Sequence, residues 1–407
     1  MKCRNCNTQL KHQLIDLGYA PPSNAYLEEE ALSKPEITLP LRVAVCENCW
    51  LVQTEDYSKA DELFDSEYAY FSSTSKSWLN HAKLYCERVR DELDLGGDSF
   101  VVEIASNDGY LLKNFVEYGV PCLGIEPTES TAAASEKIGV PVVREFFGKE
   151  LATRLVEEGR HADLIIGNNV YAHVPDIKDF TNGMKKLLKP NGVITLEFPH
   201  LLQLLQQSQF DTIYHEHFSY LSLGVVRRIF EAAGLRVWNV DKINTHGGSL
   251  RIYGCHENAS FVTTTACEEL YRQELDCGLE KLQTYANFQH KANKIKNDLI
   301  SFLIDQKRLG KKVVAYGAAA KGNTLVNYAG IKSDLISVVY DAAQSKQGRF
   351  LPGSHIPIEA PEKLDLSTVD YVIVFPWNII SEIKEYFSSR IGPKTKLVTA
   401  VPELKIH

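Results

Sequence analysis

The period of the apolar positions changes several times along the chain, and the changes divide it. From Ser99 onward, short β-rich runs alternate with helical spacing. The runs SFVVEIA (99–105), VPCLGIE (120–126), VPVVREFF (140–147), HADLIIGNN (161–169) and GVITLEFP (192–199) each read as a strand. Helices are expected near Tyr110, after the turn SNDG, and from Ile177 to Leu188. Repeated βα units of this length predict a parallel sheet with helices on both faces. LSLGVVRRIFEAAGL (221–235) reads as a helix, and LRVWNVDKIN and GGSLRIYGC as two strands. Cys267–Leu309 keeps helical periodicity with few breakers and predicts one or two long bridging helices. KKVVAYGAAAKGN (311–323), ISVVYDA (336–342), HIPIEAPEKL and YVIVFPW (371–377) then repeat the βα alternation. Upstream, Ser75–Leu95 has helical spacing, with Trp78, Leu79, Ala82, Leu84, Tyr85 and Val89 on or near one face. The expected division is a small module over 1–75, an α/β domain over 76–265, a helical bridge over 266–309 and a smaller α/β domain over 310–407. The two α/β halves could be remote relatives.

Length agrees with this, since 407 residues predict two to four folding units at about 100–200 residues each. The balance of 44 Lys+Arg against 52 Asp+Glu leaves a net charge of -8, so no global field attracts nucleic acid. No apolar run approaches the roughly 20 residues that span a bilayer. The start, MKCRNCNTQLKH, lacks the apolar stretch of a secretion signal, and a cytoplasmic location is expected. Oligomeric state stays open, since a multi-domain chain of this kind can be a monomer.

Nine cysteines are unevenly placed. Cys3 and Cys6, and Cys46 and Cys49, form two Cys-x-x-Cys pairs, while the other five are scattered. A two-residue gap lets both thiolates of a pair face one ion, and the second pair completes a tetrahedron. Four protein ligands leave no position for water, so the expected metal, zinc, is structural. It would also compensate a segment too poor in apolar residues to fold alone.

VVEIASNDGYLL (101–112) joins an acidic strand end, a polar turn and a helix start. A doubly wound sheet puts backbone amides there, at the carboxyl edge where ligands bind. The turn has one glycine, Gly109, so it is not the fingerprint of dinucleotide enzymes. Glu126 ends the second strand, where a carboxylate can accept from two ribose hydroxyls. Asn168 and Asn169 end the fourth. Glu103, Gly109, Glu126 and Asn168 together resemble a class I S-adenosylmethionine methyltransferase; the turn alone fits any nucleotide-binding α/β fold.

DTIYHEHFSYLS (211–222) packs two histidines, a glutamate and two tyrosines into twelve residues, which suggests a polar pocket suited to general acid/base chemistry. A solvated helix start with core tyrosines is the plainer alternative. His215 and His217 at i, i+2 on a helix could not face one metal ion. His173, in YAHVPD, follows the fourth strand at the same edge. In the last domain, YGAAAKGN (316–323) follows a strand and should open a helix. Its small residues allow close backbone approach, and Lys321 sits where a phosphate could pair. Asp341 and Pro376–Trp377 end the next strands. His246 stands in a THGGSLR turn whose two glycines suggest close backbone approach.

In order, CxxC…CxxC, EIASNDG, NNVYAHVPD, YHEHFSYLS, HGGSLR and YGAAAKGN resemble the sugar C-methyltransferases that act on nucleotide-linked 4-keto-6-deoxyhexoses. The likeness covers nearly the whole chain, and the YHEH block is its most specific part. It implies a class I Rossmann-like central domain, S-adenosylmethionine as cofactor, a zinc module, and a carboxy-terminal domain that binds the nucleotide-diphosphate sugar. Methyl transfer to C3 through an enolate is implied, with His217 as base. Glu216 would orient neighbours, Tyr214 and His173 would donate to sugar oxygens, and Tyr68 or Tyr70 would reach in from the zinc module. Glu103, Ala105, Asn107, Gly109, Glu126, Asn168 and Asn169 would hold the cofactor. Gly317, Lys321, Asn323, Asp341, Trp377 and His246 would hold the sugar nucleotide. The family commonly has glycine where this chain has Ala105. O- or N-methylation of another small acceptor, a zinc-ribbon adaptor without chemistry, and an RNA methyltransferase are the competing readings.

Overall fold

A computed structural model describes residues 1–57, 71–74, 76–388 and 394–407. Three sheets organise it. The first is antiparallel: β1 (His12–Ala20), β2 (Leu39–Val45) and β3 (Val52–Thr54). In β2 strict alternation buries Leu41, Val43 and Val45. In β1 a register shift between Gln13 and Ile15 puts Leu14 and Ile15 both inside.

The central sheet contains β4 (Val101–Ile104), β5 (Cys122–Ile125), β6 (Val142–Val143), β7 (Ala162–Asn168) and β8 (Leu188–Pro199), all parallel. β9 (Ser219–Tyr220) leaves this run and pairs with β3, so the first sheet is ordered β1-β2-β3-β9. β10 (Leu235–Ile243) and β11 (Ser249–His256) then return to the central sheet, ordered β10-β11-β8-β7-β4-β5-β6.

Two expectations change here. The central sheet is mixed, because β10 and β11 form a hairpin and β11 lies antiparallel to β8. A five-residue link leaves no room for a parallel crossover. The strand read over 140–147 shrinks to Val142–Val143 at the edge of the sheet, where no further strand among the described residues pairs with it.

Helices over Lys76–Glu92, Ile177–Leu187 and Leu223–Ala232 match the periodicity. The second is capped by Asp176, which accepts from the Asp179 amide at 3.0 Å, and the third by Ser222. The long helical segment breaks into Thr265–Asp276, Leu282–Tyr285 and Phe288–Arg308, interrupted at Gly278 (φ 79°). Phe288, Ala292, Ile295, Leu299 and Leu303 are the buried stripe of the last of these.

The third sheet holds β12 (Val313–Tyr316), β13 (Val339–Tyr340), β14 (Ile358–Glu359), β15 (Tyr371–Val374) and β16 (Lys396–Thr399), parallel in the order β14-β13-β12-β15-β16, with β17 (Lys405–Ile406) antiparallel at the end. One apolar core unites Leu14, Ile15, Val43 and Val45 of the first sheet with the Phe288–Arg308 helix and Ile373 of the third. The amino-terminal segment therefore does not pack by itself.

Candidate active site

The four cysteines come from two matching knuckles. In each, the first cysteine's carbonyl accepts the amide four residues on (Asn7 and Trp50, both 2.9 Å) and its own amide donates five residues on. Asn7 and Trp50 adopt φ of 60° and 64° to allow it. Cys3–Cys49 and Cys6–Cys46 sulfurs lie 3.5 Å apart, and all four fall within 4.8 Å of one another. Tetrahedral Zn–S bonds of about 2.3 Å need sulfurs about 3.8 Å apart, so the four residues fit zinc.

At the carboxyl edge of the central sheet, the turn after β4 carries Ala105 (φ 57°), Asn107 (φ 51°) and Gly109 (φ 76°). A Cβ at Gly109 would lie 2.6 Å from Ser135 Oγ, so conformation and space both demand glycine. Ala105 adopts the left-handed form too, which is where its departure from glycine tells. Glu126 braces the turn: Oε2 accepts from the Asn107 amide and Oε1 from the Thr128 amide, both at 2.9 Å. Each oxygen keeps a lone pair for a hydroxyl. Glu103 is fully buried, and burial, then Asp108 and Glu126, push its pKa well above the carboxylate range. Its oxygens, the whole Asn168 amide and Asn169 Oδ1 find no hydrogen-bond partner among the described residues. Buried acceptors gathered at a sheet edge suit the polar, cationic S-adenosylmethionine. The Asn107 side chain is instead engaged by the Ser72 amide at 2.9 Å. Tyr68 and Tyr70 lie outside the described residues.

The YHEH block is an irregular turn, neither helix nor strand, and it splits its histidines. His217 Nδ1 donates to the Thr212 carbonyl at 2.7 Å. That bond fixes the tautomer and leaves Nε2 as the acceptor. Around it stand Tyr214, with ring centroids 3.9 Å apart, and His173, edge-on at 4.6 Å. Burial first, then His173, drive the His217 pKa well below the usual imidazole value. His173 falls to about 4, mainly through burial. His217 is thus a neutral acceptor in the physiological range. His215 turns away to the Pro40 carbonyl at 3.2 Å, so the two histidines of the block do not converge on one point. Glu216 accepts both contacts of the Asn24 amide, at 2.9 and 2.7 Å. Thr54 of β3 donates to the His217 carbonyl at 2.6 Å. The amino-terminal segment is therefore a wall of this site.

From the third sheet, Gly317 (φ 86°) turns the chain against Pro376, whose Cδ a Cβ would meet at 2.4 Å. The helix Ala320–Ala329 opens there. Lys321, partly buried, donates to Asn378 at 2.7 Å and sits 4.9 Å over the Trp377 ring. Burial lowers its pKa, and its charge depresses His217 and His246. His246 (φ 55°) meets Trp78 edge-on at 5.4 Å. Three other sugar-side candidates are committed to holding the protein together. Asn323 is buried and reaches the Ser23 carbonyl at 3.4 Å. Asp341 takes the Ala318 and Ala343 amides at 2.6 and 2.8 Å. Trp377 donates to Asp211 at 2.7 Å and presses on Gly247.

Sequence reasoning missed Glu197, at the end of β8. Fully buried, it accepts from Arg251 (2.7 Å), His81 (2.9 Å) and Thr245 (3.0 Å). Burial raises its pKa, but His81 and Arg251 outweigh that and bring it to about 2. A glutamate inside the apolar run GVITLEFP was the available signal.

Three family descriptions match along the chain: a zinc binding domain over 3–64, a methyltransferase domain over 78–240 and a C-methyltransferase C-terminal domain over 244–402. The C-methyltransferase NovU of Streptomyces niveus is 31% identical over 405 residues, covering 100% of this chain and 96% of the relative. An uncharacterized methyltransferase of Mycobacterium leprae, MLBr02584, is 26% identical over 99 residues, 24% of this chain and 36% of its own. Among solved structures, magnesium protoporphyrin IX methyltransferase from Synechocystis, with bound SAH, is 13% identical, with a TM-score of 0.35 over 44% of this chain and 82% of that one. With its Rossmann-like central sheet, its four-cysteine cluster and a relative matched end to end, the chain belongs to the sugar C-methyltransferase family and is an S-adenosylmethionine-dependent, zinc-binding enzyme.

Proposed function

We propose that the enzyme methylates C3 of a nucleotide-diphosphate-linked 4-keto-6-deoxyhexose through an enolate. One observation carries the reading: His217 is held as a single neutral tautomer, with Tyr214 and His173 packed on its ring. O-transfer has little use for so many acid/base groups. His217 Nε2 takes the C3 proton, and the electron pair of that C–H bond passes into the C3–C4–O4 system. Hydroxyl and imidazole groups of Tyr214 and His173 donate to the sugar oxygens, and Glu216, tied to Asn24, keeps the block in place. When bound, S-adenosylmethionine supplies the methyl group that C3 takes up. Glu103, Gly109, Glu126, Asn168 and Asn169 are its binding set.

In the same reading, residues 1–75 bind zinc, 76–265 hold the cofactor and base, 266–309 bridge, and 310–407 bind the sugar nucleotide. Lys321 and the Gly317 turn receive the diphosphate, with His246 at the sugar end. The setting is cytoplasmic, where thiols stay reduced for metal, and no helix among the described residues is long and apolar enough to cross a membrane.

The test is hydrogen exchange with S-adenosylhomocysteine and a panel of nucleotide-linked 4-keto-6-deoxysugars in D2O. Deuterium should enter C3, and His217→Asn should stop this by about 100-fold or more while cofactor affinity holds. Methyl transfer to an oxygen or nitrogen acceptor without exchange would overturn the reading.

A further inference from the structure

Phe210–Thr212 forms one short 3-10 turn, and the three residues from Asp211 to Ile213 each bind a different part of the molecule. Asp211 Oδ2 accepts from Trp377 Nε1 at 2.7 Å, in the segment after β15. The Thr212 carbonyl accepts from His217 Nδ1 at 2.7 Å. The Ile213 carbonyl accepts from Thr324 Oγ1 at 2.9 Å, in the helix that carries Lys321. The carbonyl that sets the base therefore lies between two grips from the carboxy-terminal half.

Asp211 is 1% exposed, and its second oxygen has no hydrogen-bond partner among the described residues. A group that only packed would be apolar here, because a buried carboxylate is expensive. Its surroundings give it a use. Lys321 stands over the face of Trp377 while Asp211 holds the edge of the same indole. A cation on the ring face and an anion at the N–H polarise the indole in the same sense, so each contact strengthens the other.

We propose that Asp211 is a positioning residue that couples the seating of the carboxy-terminal half to the orientation of His217. The proposal rests on the reading of His217 as the base. When Lys321 and Trp377 are in place, Asp211 fixes the turn, and the Thr212 carbonyl points Nε2 at the substrate. When they are displaced, the carbonyl moves and the base loses its aim. The sugar nucleotide thereby organises the proton abstraction it undergoes.

The full-length enzyme tests this through turnover and C3 exchange. Asp211→Ala should lower kcat and the exchange rate together by about 100-fold. KM for the sugar nucleotide should move less than about threefold, and cofactor affinity should be unchanged. Asp211→Asn keeps an acceptor for the indole and should return within about tenfold of wild type. Trp377→Phe keeps an aromatic ring, with a smaller face, and has no N–H to donate, so it reports even where Asp211→Ala does not fold. It should lose kcat in the same way, and combining the two changes should be no worse than the larger single loss. Loss confined to KM, or additive losses in the double variant, would overturn the coupling. Full activity of Asp211→Ala beside an inactive His217→Asn would overturn it alone. Exchange surviving in His217→Asn would remove the base assignment, and the coupling with it.

Discussion

The two doubly wound sheets are built on one plan and differ in charge. Strands β6-β5-β4-β7-β8 and β14-β13-β12-β15-β16 run in the same order, each followed by an antiparallel neighbour, β11 or β17. In both, a carboxylate at the end of the second strand pins the turn after the first. Glu126 takes the Asn107 and Thr128 amides, and Asp341 takes those of Ala318 and Ala343. The second amide in each pair lies two residues beyond the carboxylate. Around Glu126 stand Glu103, Asp108 and buried amides without partners among the described residues. Around Asp341 the charge is positive: Lys346 Nζ lies 4.0 Å from its Oδ2, and Lys321 stands on the helix that opens after the turn. One backbone device thus serves opposite electrostatics. The acidic edge suits a cationic sulfonium ligand, and the edge with lysine suits an anionic one.

The comparison breaks most readily at its two carboxylates. Glu126→Ala should weaken S-adenosylmethionine by about 100-fold, at roughly 1.5–3 kcal/mol per charge-assisted bond lost, and leave the sugar-nucleotide KM alone. Asp341→Ala should do the reverse, raising that KM about tenfold. Calorimetry and steady-state kinetics read the pair, and a variant that damages both ligands equally would end the idea of two separate edges.

Glu103 sharpens it. With its pKa raised, the folded apo-protein holds a proton that the unfolded chain releases above about 4.5, so this group's burial opposes folding increasingly as pH climbs past that value. Glu103→Gln should therefore stabilise the apo-enzyme at pH 7.5 by roughly 1 kcal/mol or more, give no gain near pH 4, and bind cofactor more weakly. Melting curves at both pH values check this; equal gains at both would show that charge is not the cause. The smallest effect is at Ala105, where Ala105→Gly should relieve left-handed strain worth about 1 kcal/mol, less the entropy glycine adds. A lower melting temperature would count against the strain.

Local signals were legible and long-range ones were not. The cysteine pairs, the Glu103–Gly109 turn and Glu126 depend on spacing within a few residues, and sequence spacing reports such geometry directly. The density of polar and aromatic residues in the YHEH block makes it a candidate, but does not tell that His215 faces Pro40 while His217 faces Thr212. Nothing periodic announces a two-residue strand such as Ser219–Tyr220. Asp211 and Trp377 lie 166 positions apart, and each looks ordinary alone. Asn323 closes the small-residue turn YGAAAKGN and Asp341 ends a strand, positions that suggest a pocket, whereas both serve backbone groups. The antiparallel hairpin hid because β11 is buried along nearly its whole length, as a parallel strand would be.

β9 has a consequence for the order of assembly. The metal knuckles and β1–β3 are synthesised well before β9, yet among the described residues it is 218–220 that cover the edge of β3. Until that point is synthesised, the nascent sheet offers an open strand edge, the kind that recruits wrong partners. The thiolate cluster, closed within the first 49 residues, can hold the early strands in register through that interval. Completion of the sheet then coincides with synthesis of the YHEH block, because His217 lies two residues before the strand that seals it.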